Sequence, residues 1–134
     1  MAMRLEFSLL EERYALTHLP PGSPHPDWVR GRFAATISSR EGLSIVCVES
    51  AVPTGPRTQT GFRCLEVLGA FDIESVGVLA AAVQPLARSA ISLFAYSTWQ
   101  TDYILVQEKD LDRALASLRD AGHAIAYPAL RTKP

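Results

Sequence analysis

The pattern of apolar and polar positions is sharpest between residues 91 and 106. Two apolar runs, residues 91–96 and 103–106, flank the polar and aromatic segment STWQTD. Because branched and aromatic residues dominate both runs, the pattern predicts two buried strands joined as a hairpin. The connection contains hydroxyl, amide, carboxylate and indole groups but neither Gly nor Pro. Such a corner, which presents donors and acceptors from a rigid base, is typical of a binding surface.

The second half of the chain alternates strand and helix patterns around this hairpin. Further strands are predicted at residues 62–68 and 123–127, and helices at residues 76–88 and 111–121. Ser75 and Asp110 are the predicted N-caps of the two helices, and Gly122 ends the second. Pro85 lacks an N–H group, so it should cost the first helix its hydrogen bond to the Ala81 carbonyl. The order βαββαβ predicts an α+β, ferredoxin-like unit with both helices on one face of a four-stranded antiparallel sheet.

The first half shows a less complete pattern. Strands are predicted at residues 4–9, 33–39 and 43–49, and a further short strand at residues 14–19. The run MRLEFSLLEERYAL also fits a helix, so residues 5–19 could be either strand or helix. Prolines and glycines predict a loop before the second strand, and residues 50–61 are predicted to be a linker. We therefore expect a reduced unit over residues 1–60, a complete unit over residues 61–129 and a tail over residues 130–134.

Composition narrows the range of partners. The 134-residue chain has 13 Lys plus Arg against 14 Asp plus Glu, for a formal net charge of −1. Nucleic-acid binding is not expected, because there is no basic excess to neutralise phosphates. The apolar runs are too short to span a membrane, and the N-terminus lacks the apolar region of a signal peptide. We therefore expect a cytoplasmic protein with no membrane contact.

The two cysteines are predicted to be structural. Cys47 and Cys64 lie within apolar runs and have no CxxC spacing. Buried free thiols are common, and a reducing compartment disfavours a disulfide. Two separated cysteines and three scattered histidines do not form a zinc-binding pattern. No metal site and no cofactor are expected.

Several segments resemble ACT domains. They are EGLSIVC at residues 41–47, Val52-Pro53, Gly77-Val78-Leu79 and STWQTDY at residues 97–103. Over nearly its whole length the chain resembles a small bacterial tandem ACT-domain protein, similar to the regulatory ACT pairs of aspartate kinases and to arginine sensors of the CASTOR type. It departs from that pattern at Gly42, which separates Glu41 from the run Leu-Ser-Ile-Val.

The resemblance implies a complete ACT unit, a reduced ACT-like unit and a non-catalytic regulatory function. In ACT pairs the effector, here expected to be a free amino acid, usually lies between two domains against the loop joining the first strand to the first helix. That loop corresponds to residues 69–77. The candidate ligand-binding residues lie in this loop and helix start, in the hairpin corner and in the first unit: Gly69, Phe71, Asp72, Ile73, Ser75, Val76, Gly77, Val78, Ser97, Thr98, Trp99, Thr101, Asp102, Glu41 and Ser44.

Each candidate also has a structural interpretation. Ser75 and the backbone N–H groups of residues 76–78 could bind a carboxylate while Asp72 and Glu74 take an ammonium, or these residues could simply cap the helix and complement its dipole. Asp102 could bind a cationic group or fix the hairpin turn. Trp99 could form a wall of the ligand site or anchor an interface.

Other functional classes fit parts of the sequence. A protein–protein interaction module without a small ligand is the main alternative. Ser97, Asp102 and His123 could be assembled into a hydrolase triad, but no GxSxG elbow accompanies them. Open sheet edges favour a homodimer, or a closer pairing within the chain that covers an edge. The acids Glu41, Glu74 and Asp102, together with the resemblance to arginine and lysine sensors, favour a basic amino acid as the effector.

Overall fold

The computed structural model describes residues 3–127, which form seven strands and two α-helices. The elements are β1 (Glu6–Leu19), β2 (Ala35–Ser39), β3 (Gly42–Val48), β4 (Arg57–Val67), α1 (Val78–Arg88), β5 (Leu93–Ser97), β6 (Asp102–Gln107), α2 (Leu111–Asp120) and β7 (Ala124–Ala126). The α+β class is as predicted. No helix of the described chain combines the length and the apolar character that crossing a membrane requires.

The described residues form two compact units. Unit 1 contains residues 3–11 and 63–127, and unit 2 contains residues 12–62, so that β1 and β4 contribute to both. The domain limits drawn from the sequence at residues 60/61 and 129/130 stay predictions. The predicted tail lies outside the described residues.

Unit 1 has the predicted βαββαβ order from β4 to β7. Its strands lie in the order β7-β1-β4-β6-β5, with β7 parallel to β1 and β5 antiparallel to β6. The sequence predicts four strands for this unit, but the first part of β1 lies between β4 and β7 and makes a fifth. The alternating residues Leu5, Phe7 and Leu9 explain this position, because all three are buried in the core beneath the helices.

Both helices pack on this same core. The buried positions of α1 are Val78, Ala82 and Leu86, and those of α2 are Ala114, Leu115 and Leu118. They recur at intervals of three and four residues, so each helix presents one apolar stripe. The opposing sheet residues are Leu65, Val67, Ile104 and Val106. Packing on one face is therefore confirmed.

Unit 2 is an antiparallel arrangement with no α-helix among its described residues. β3 pairs with β2 on one side and with β1 on the other, from Tyr14 opposite Val48 to Leu19 opposite Leu43. Residues 14–19 are therefore strand. Gly42 has φ +141° and lies so close to the Leu19 carbonyl oxygen that a side chain would collide with it. This contact explains why glycine stands before the Leu-Ser-Ile-Val run.

Two boundaries predicted from the sequence are wrong. Residues 57–61 belong to β4 and not to a linker, and Thr58 Oγ1 lies 3.1 Å from Thr17 Oγ1 on β1. Threonine suits a strand, which explains the longer element. Ser75 does not cap α1: the helix begins at Val78 after Gly77, whose φ of +89° ends any helical path through residues 75–77.

Pro85 lies inside α1, and a distant side chain compensates for its missing N–H group. The Ala81 carbonyl, which would accept from residue 85 in a regular helix, lies 2.9 Å from His123 Nε2. The other ring nitrogen, Nδ1, accepts the Leu5 backbone N–H at 3.0 Å. Since Nδ1 must accept, Nε2 carries the proton and donates to Ala81. His123 thus joins β1 to α1 from a buried position.

Both cysteines are free and buried, as predicted. Desolvation by burial raises the pKa of the Cys47 thiol and of the Cys64 thiol, the latter also through the nearby Glu66 carboxylate. Burial also raises the pKa of Tyr96 on β5. Thiols held in the protonated form are poor nucleophiles, which fits a structural role.

Candidate ligand-binding groove

An open groove of about 350 Å³ lies in unit 1 among the loop after β4, the N-terminus of α1 and the β5–β6 turn. Its volume is in the range of small-molecule sites. We call it the ligand groove. Its lining residues are Phe71, Asp72, Ile73, Ser75, Gly77, Val78, Leu79, Ala80, Ser97, Thr98, Trp99, Gln100, Thr101 and Asp102. The structure thus brings together most of the candidates drawn from the sequence.

Four candidates lie elsewhere. Gly69 stands at the start of the loop beside the Phe71 ring, and Val76 lines a neighbouring depression. Glu41 and Ser44 belong to unit 2, where the Glu41 carboxylate accepts a hydrogen bond from Ser39. Conversely, Leu79, Ala80 and Gln100 line the groove although the sequence did not single them out. Leu79 and Ala80 line the groove because the helix begins at residue 78.

The turn between β5 and β6 contains neither Gly nor Pro, and hydrogen bonds of Thr98 fix it instead. The Thr98 N–H donates to the Thr101 carbonyl at 2.8 Å, and the Thr98 hydroxyl donates to the same oxygen at 3.0 Å. The Thr98 hydroxyl also accepts the Thr101 N–H at 3.3 Å. Local side-chain bonds of this kind fix a turn without a special glycine dihedral.

Two further bonds fix the hairpin turn to the rest of unit 1. The Thr101 hydroxyl donates to the carbonyl of Val67, at the end of β4, at 2.6 Å. The Gln100 carbonyl accepts the N–H of Phe71 at 2.9 Å. The turn is therefore a rigid support for the residue that follows it, Asp102.

Asp102 supplies a negative charge at the base of the groove. Its side chain is 8% exposed and accepts the Ser97 hydroxyl at 2.5 Å. In the part of the chain that the structure describes, no Lys, Arg or His side chain partners this carboxylate. A largely desolvated carboxylate with one neutral partner favours a cationic group nearby.

The N-terminus of α1 supplies the opposite field. The first intrahelical bond runs from the Ala81 N–H to the Gly77 carbonyl at 2.9 Å, so the N–H groups of residues 78–80 precede the helical ladder. Gly77 has no side chain to cap them, and the first turn contains no acidic residue. Such an end attracts anions through its N–H groups and the helix dipole. The candidate anion site is therefore at the N–H groups of residues 78–80 and not at residues 76–78, as the sequence predicted.

A second hollow of about 390 Å³, the outer hollow, adjoins the ligand groove. It is lined by Phe71, Asp72, Ile73, Glu74 and Trp99. Ile73 and Trp99 are 80% and 83% exposed. Among residues 3–127, no Lys, Arg or His lines either cavity, so Asp72, Glu74 and Asp102 make this region electronegative apart from the helix end.

The Ser97, Asp102 and His123 side chains do not form a hydrolase triad. The Ser97 hydroxyl donates directly to Asp102, whereas both ring nitrogens of His123 bond the backbone of Leu5 and Ala81. No nitrogen of His123 is available to activate the serine.

Comparisons with known proteins agree with this fold. Residues 57–120 match the family model of the ACT domain. Protein Atu0741 from Agobacterium tumefaciens is similar in structure, with 27% sequence identity, a TM-score of 0.90 and coverage of 99% of this chain and 100% of that one. No curated protein matches the sequence.

More distant structures share the fold alone. Protein VC0802 from Vibrio cholerae has 22% identity and a TM-score of 0.70, over 87% of this chain and 89% of that one. The regulatory subunit of aspartate kinase from Thermus thermophilus has 10% identity and a TM-score of 0.63, over 86% and 96%. The resemblance inferred from the sequence is thus confirmed: residues 57–120 match the ACT-domain family, and the chain shares the fold of the aspartate kinase regulatory subunit.

Proposed function

We propose that this protein is a non-catalytic regulatory module that binds a free amino acid in the ligand groove. One observation carries the proposal: the buried Asp102 carboxylate and the uncapped N-terminus of α1 line the same groove. A free amino acid has an ammonium and a carboxylate a few bonds apart. It therefore suits a site that offers a negative and a positive field at short range.

In the proposed complex the ligand carboxylate accepts the N–H groups of residues 78–80. The ligand ammonium faces Asp102 and the hairpin carbonyl groups. Ser97 holds the Asp102 carboxylate in place, because its hydroxyl already donates to one carboxylate oxygen.

The carboxylates also favour a basic side chain on the ligand. Asp72 and Glu74 line the outer hollow with Trp99, and an ammonium or guanidinium there would meet two opposite charges and an aromatic face. L-arginine and L-lysine are the expected effectors. Glu41, in unit 2, remains a candidate from the sequence.

The regulatory part of the proposal draws on the comparisons. The Thermus protein of the same fold is named as the regulatory subunit of an enzyme. By analogy, occupancy of this groove would change the activity of a separate enzyme, whose identity the sequence does not give. A cytoplasmic location remains a prediction.

A thermal melt against each of the twenty standard amino acids tests the proposal. An amino acid that binds at about a hundred times its dissociation constant should stabilise the protein by about 2.7 kcal/mol. The Asp102→Asn variant should bind about tenfold or more weakly, since a hydrogen bond to a charged group is worth about 1.5–3 kcal/mol. Asp120→Asn, at an exposed site outside the groove, is the matched control.

The two parts of the proposal fail separately. If no amino acid shifts the melt, the sensor function is wrong. If one does and Asp102→Asn responds as the wild type does, the ligand class is right and its placement is wrong.

An interaction module without a small ligand is the second candidate, and the exposed Trp99 and Ile73 side chains favour it. Two neighbouring exposed apolar side chains are typical of a protein contact. In that case Trp99→Ala should abolish partner binding, and no amino acid should alter the melt.

We also propose a homodimer. β5 is an edge strand of unit 1, and Phe94 on it is partly exposed. A second copy would cover this edge. Light scattering at high micromolar concentration should give twice the 14.6 kDa mass of the chain. Ala95→Lys on the edge strand should reduce the measured mass to that of a single chain. A wild-type monomer under these conditions would exclude the dimer.

A further inference from the structure

We propose that residues 70–76 form a charge-gated lid that closes over the ligand groove and packs Ile73 against Trp99. The inference extends the proposed function, because a cationic ligand is the trigger for closure. The lid itself also makes a prediction that needs no ligand.

A glycine in the left-handed region stands at each end of the segment. Gly69 has φ +110° and Gly77 has φ +89°. A Cβ at Gly77 would meet no atom within 4 Å, so the backbone has room to turn there. Glycine is the residue that can change between such dihedrals most freely. Gly77 is therefore a suitable hinge at one end of the segment, and Phe71 is the fixed point at the other.

Beyond Phe71, the segment between the two glycines is weakly tethered. The Ser75 N–H donates to the Asp72 carbonyl at 2.9 Å, but both groups lie within the segment and move with it. In the described chain the segment is held at Phe71, whose N–H donates to the Gln100 carbonyl and whose half-buried side chain packs against the core, so residues 72–76 are the part that moves. Few backbone bonds and high exposure are features of segments that open at low cost.

Closure has a natural docking partner. Ile73 on the segment and Trp99 on the hairpin line both the ligand groove and the outer hollow. Each is at least 80% exposed in this structure. The hairpin is fixed by the bonds of Thr98 and Thr101, so Trp99 offers a stable surface for Ile73. Moving the segment inward would remove apolar area from water on both sides.

Charge explains why the open form persists. Asp72 and Glu74 lie on the segment, and Asp102 lies in the groove towards which the segment would move. Like charges brought together in a partly desolvated cavity repel, and none of the described residues that line the cavities is a Lys, Arg or His that could offset them. A bound cation would remove this repulsion. The lid should therefore close on a cationic ligand and stay open over an empty groove.

Trp99 fluorescence can report closure. The chain has two tryptophans, and Trp28→Phe leaves Trp99 as the single probe. In that background Asp72→Asn with Glu74→Gln should lower the acrylamide quenching constant about two-fold without any added amino acid, since neutralising the lid shifts the population to the closed form. Removing two charges from α2, with Asp112→Asn and Asp120→Asn, is the matched control and should leave quenching unchanged.

Hinge variants and L-arginine complete the test. L-arginine should lower Trp99 quenching in the single-tryptophan protein. Gly77→Ala should prevent that change, whereas Gly55→Ala, at a positive φ with equal free space in unit 2, should not. If the neutralised lid quenches like its parent, the lid is wrong. If L-arginine raises the melting temperature without changing Trp99 quenching, the lid is wrong and the proposed function stands. If no amino acid shifts the melt while the neutralised lid protects Trp99, the lid stands and the proposed function fails.

Discussion

The two helices of unit 1 share one core but differ at their N-termini. α2 follows the 3-10 turn Glu108–Asp110, carries Asp112 in its first turn and pairs Asp110 with Arg113 at 3.1 Å. α1 follows Gly77, and no acidic residue lies in its first turn. Neither helix has a side-chain hydrogen bond at its N-cap.

This difference separates a structural helix end from a binding one. The carboxylates near the start of α2 complement its dipole, so that end has little remaining attraction for an anion. At α1 the same field faces a groove and is left uncompensated. A helix N-terminus without its own acid, in a cavity, is therefore a better indication of an anion site than the helix alone.

The helices also differ inside. α1 contains Pro85 and depends on His123 to bond the Ala81 carbonyl, whereas α2 contains no proline. His123→Ala would leave the partly buried Ala81 carbonyl and the buried Leu5 N–H without these partners. Since each unsatisfied buried group costs about 1–3 kcal/mol, we expect a loss of about 2–4 kcal/mol in the free energy of unfolding. Urea denaturation measures it.

A second substitution tests the cause of that loss. Pro85→Ala restores an N–H group that can bond Ala81 within the helix. In the His123→Ala background it should recover about 1 kcal/mol, and the double-mutant cycle should show coupling between the two positions. Equal effects of Pro85→Ala in both backgrounds would show that His123 does not compensate for the proline.

The next prediction gives α1 the acid that it lacks. Ala80 is exposed in the first turn and lines the groove. Ala80→Glu should stabilise the helix by about 0.3–1 kcal/mol through the dipole. The same carboxylate should compete with that of a bound amino acid and weaken binding about tenfold, the equivalent of about 1.4 kcal/mol.

Ala80→Gln is the control of equal size without the charge. Calorimetric titration with the amino acid that shifts the melt most should show weaker binding for the glutamate variant alone. If glutamine weakens binding equally, bulk and not charge is responsible. If neither variant affects binding, the ligand carboxylate does not lie at α1.

The sequence predicts the order of elements in unit 1 well because its periods are regular. The strands around the hairpin and the helical spacing in α1 and α2 are local signals, and the polar segment between β5 and β6 marks the groove. The helix start was misplaced because the acids and Ser75 before it imitate a capped first turn. The left-handed dihedral of Gly77 overrides that signal, and this dihedral is set by the folded structure and not by the residues just before the helix.

Non-local pairings could not be predicted in the same way. The place of β1 between β4 and β7 depends on burial of alternate residues by partners far along the chain. The bond from His123 to Ala81 joins positions 42 residues apart. From Pro85 the sequence predicts that the carbonyl loses its partner, but not which side chain replaces it. Thr98 likewise shows that a turn can form without the residues that usually indicate one.

The smallest expected effect comes from α2. Asp112→Ala removes the acid of its first turn and should lower the free energy of unfolding by about 0.3–1 kcal/mol, because the substitution leaves the dipole less compensated. The loss should shrink at high salt, since screening weakens interactions between exposed charges. Amino-acid binding in the ligand groove should not change, because Asp112 does not line it. Urea denaturation at low and high salt, with a titration in parallel, measures both quantities. Asp112→Ala and Ala80→Glu should therefore move stability in opposite directions, while the second alone weakens binding. If Asp112→Ala also weakened binding, charges at either helix would act on the ligand groove at long range. Binding would then not depend specifically on the lack of an acidic residue at the start of α1.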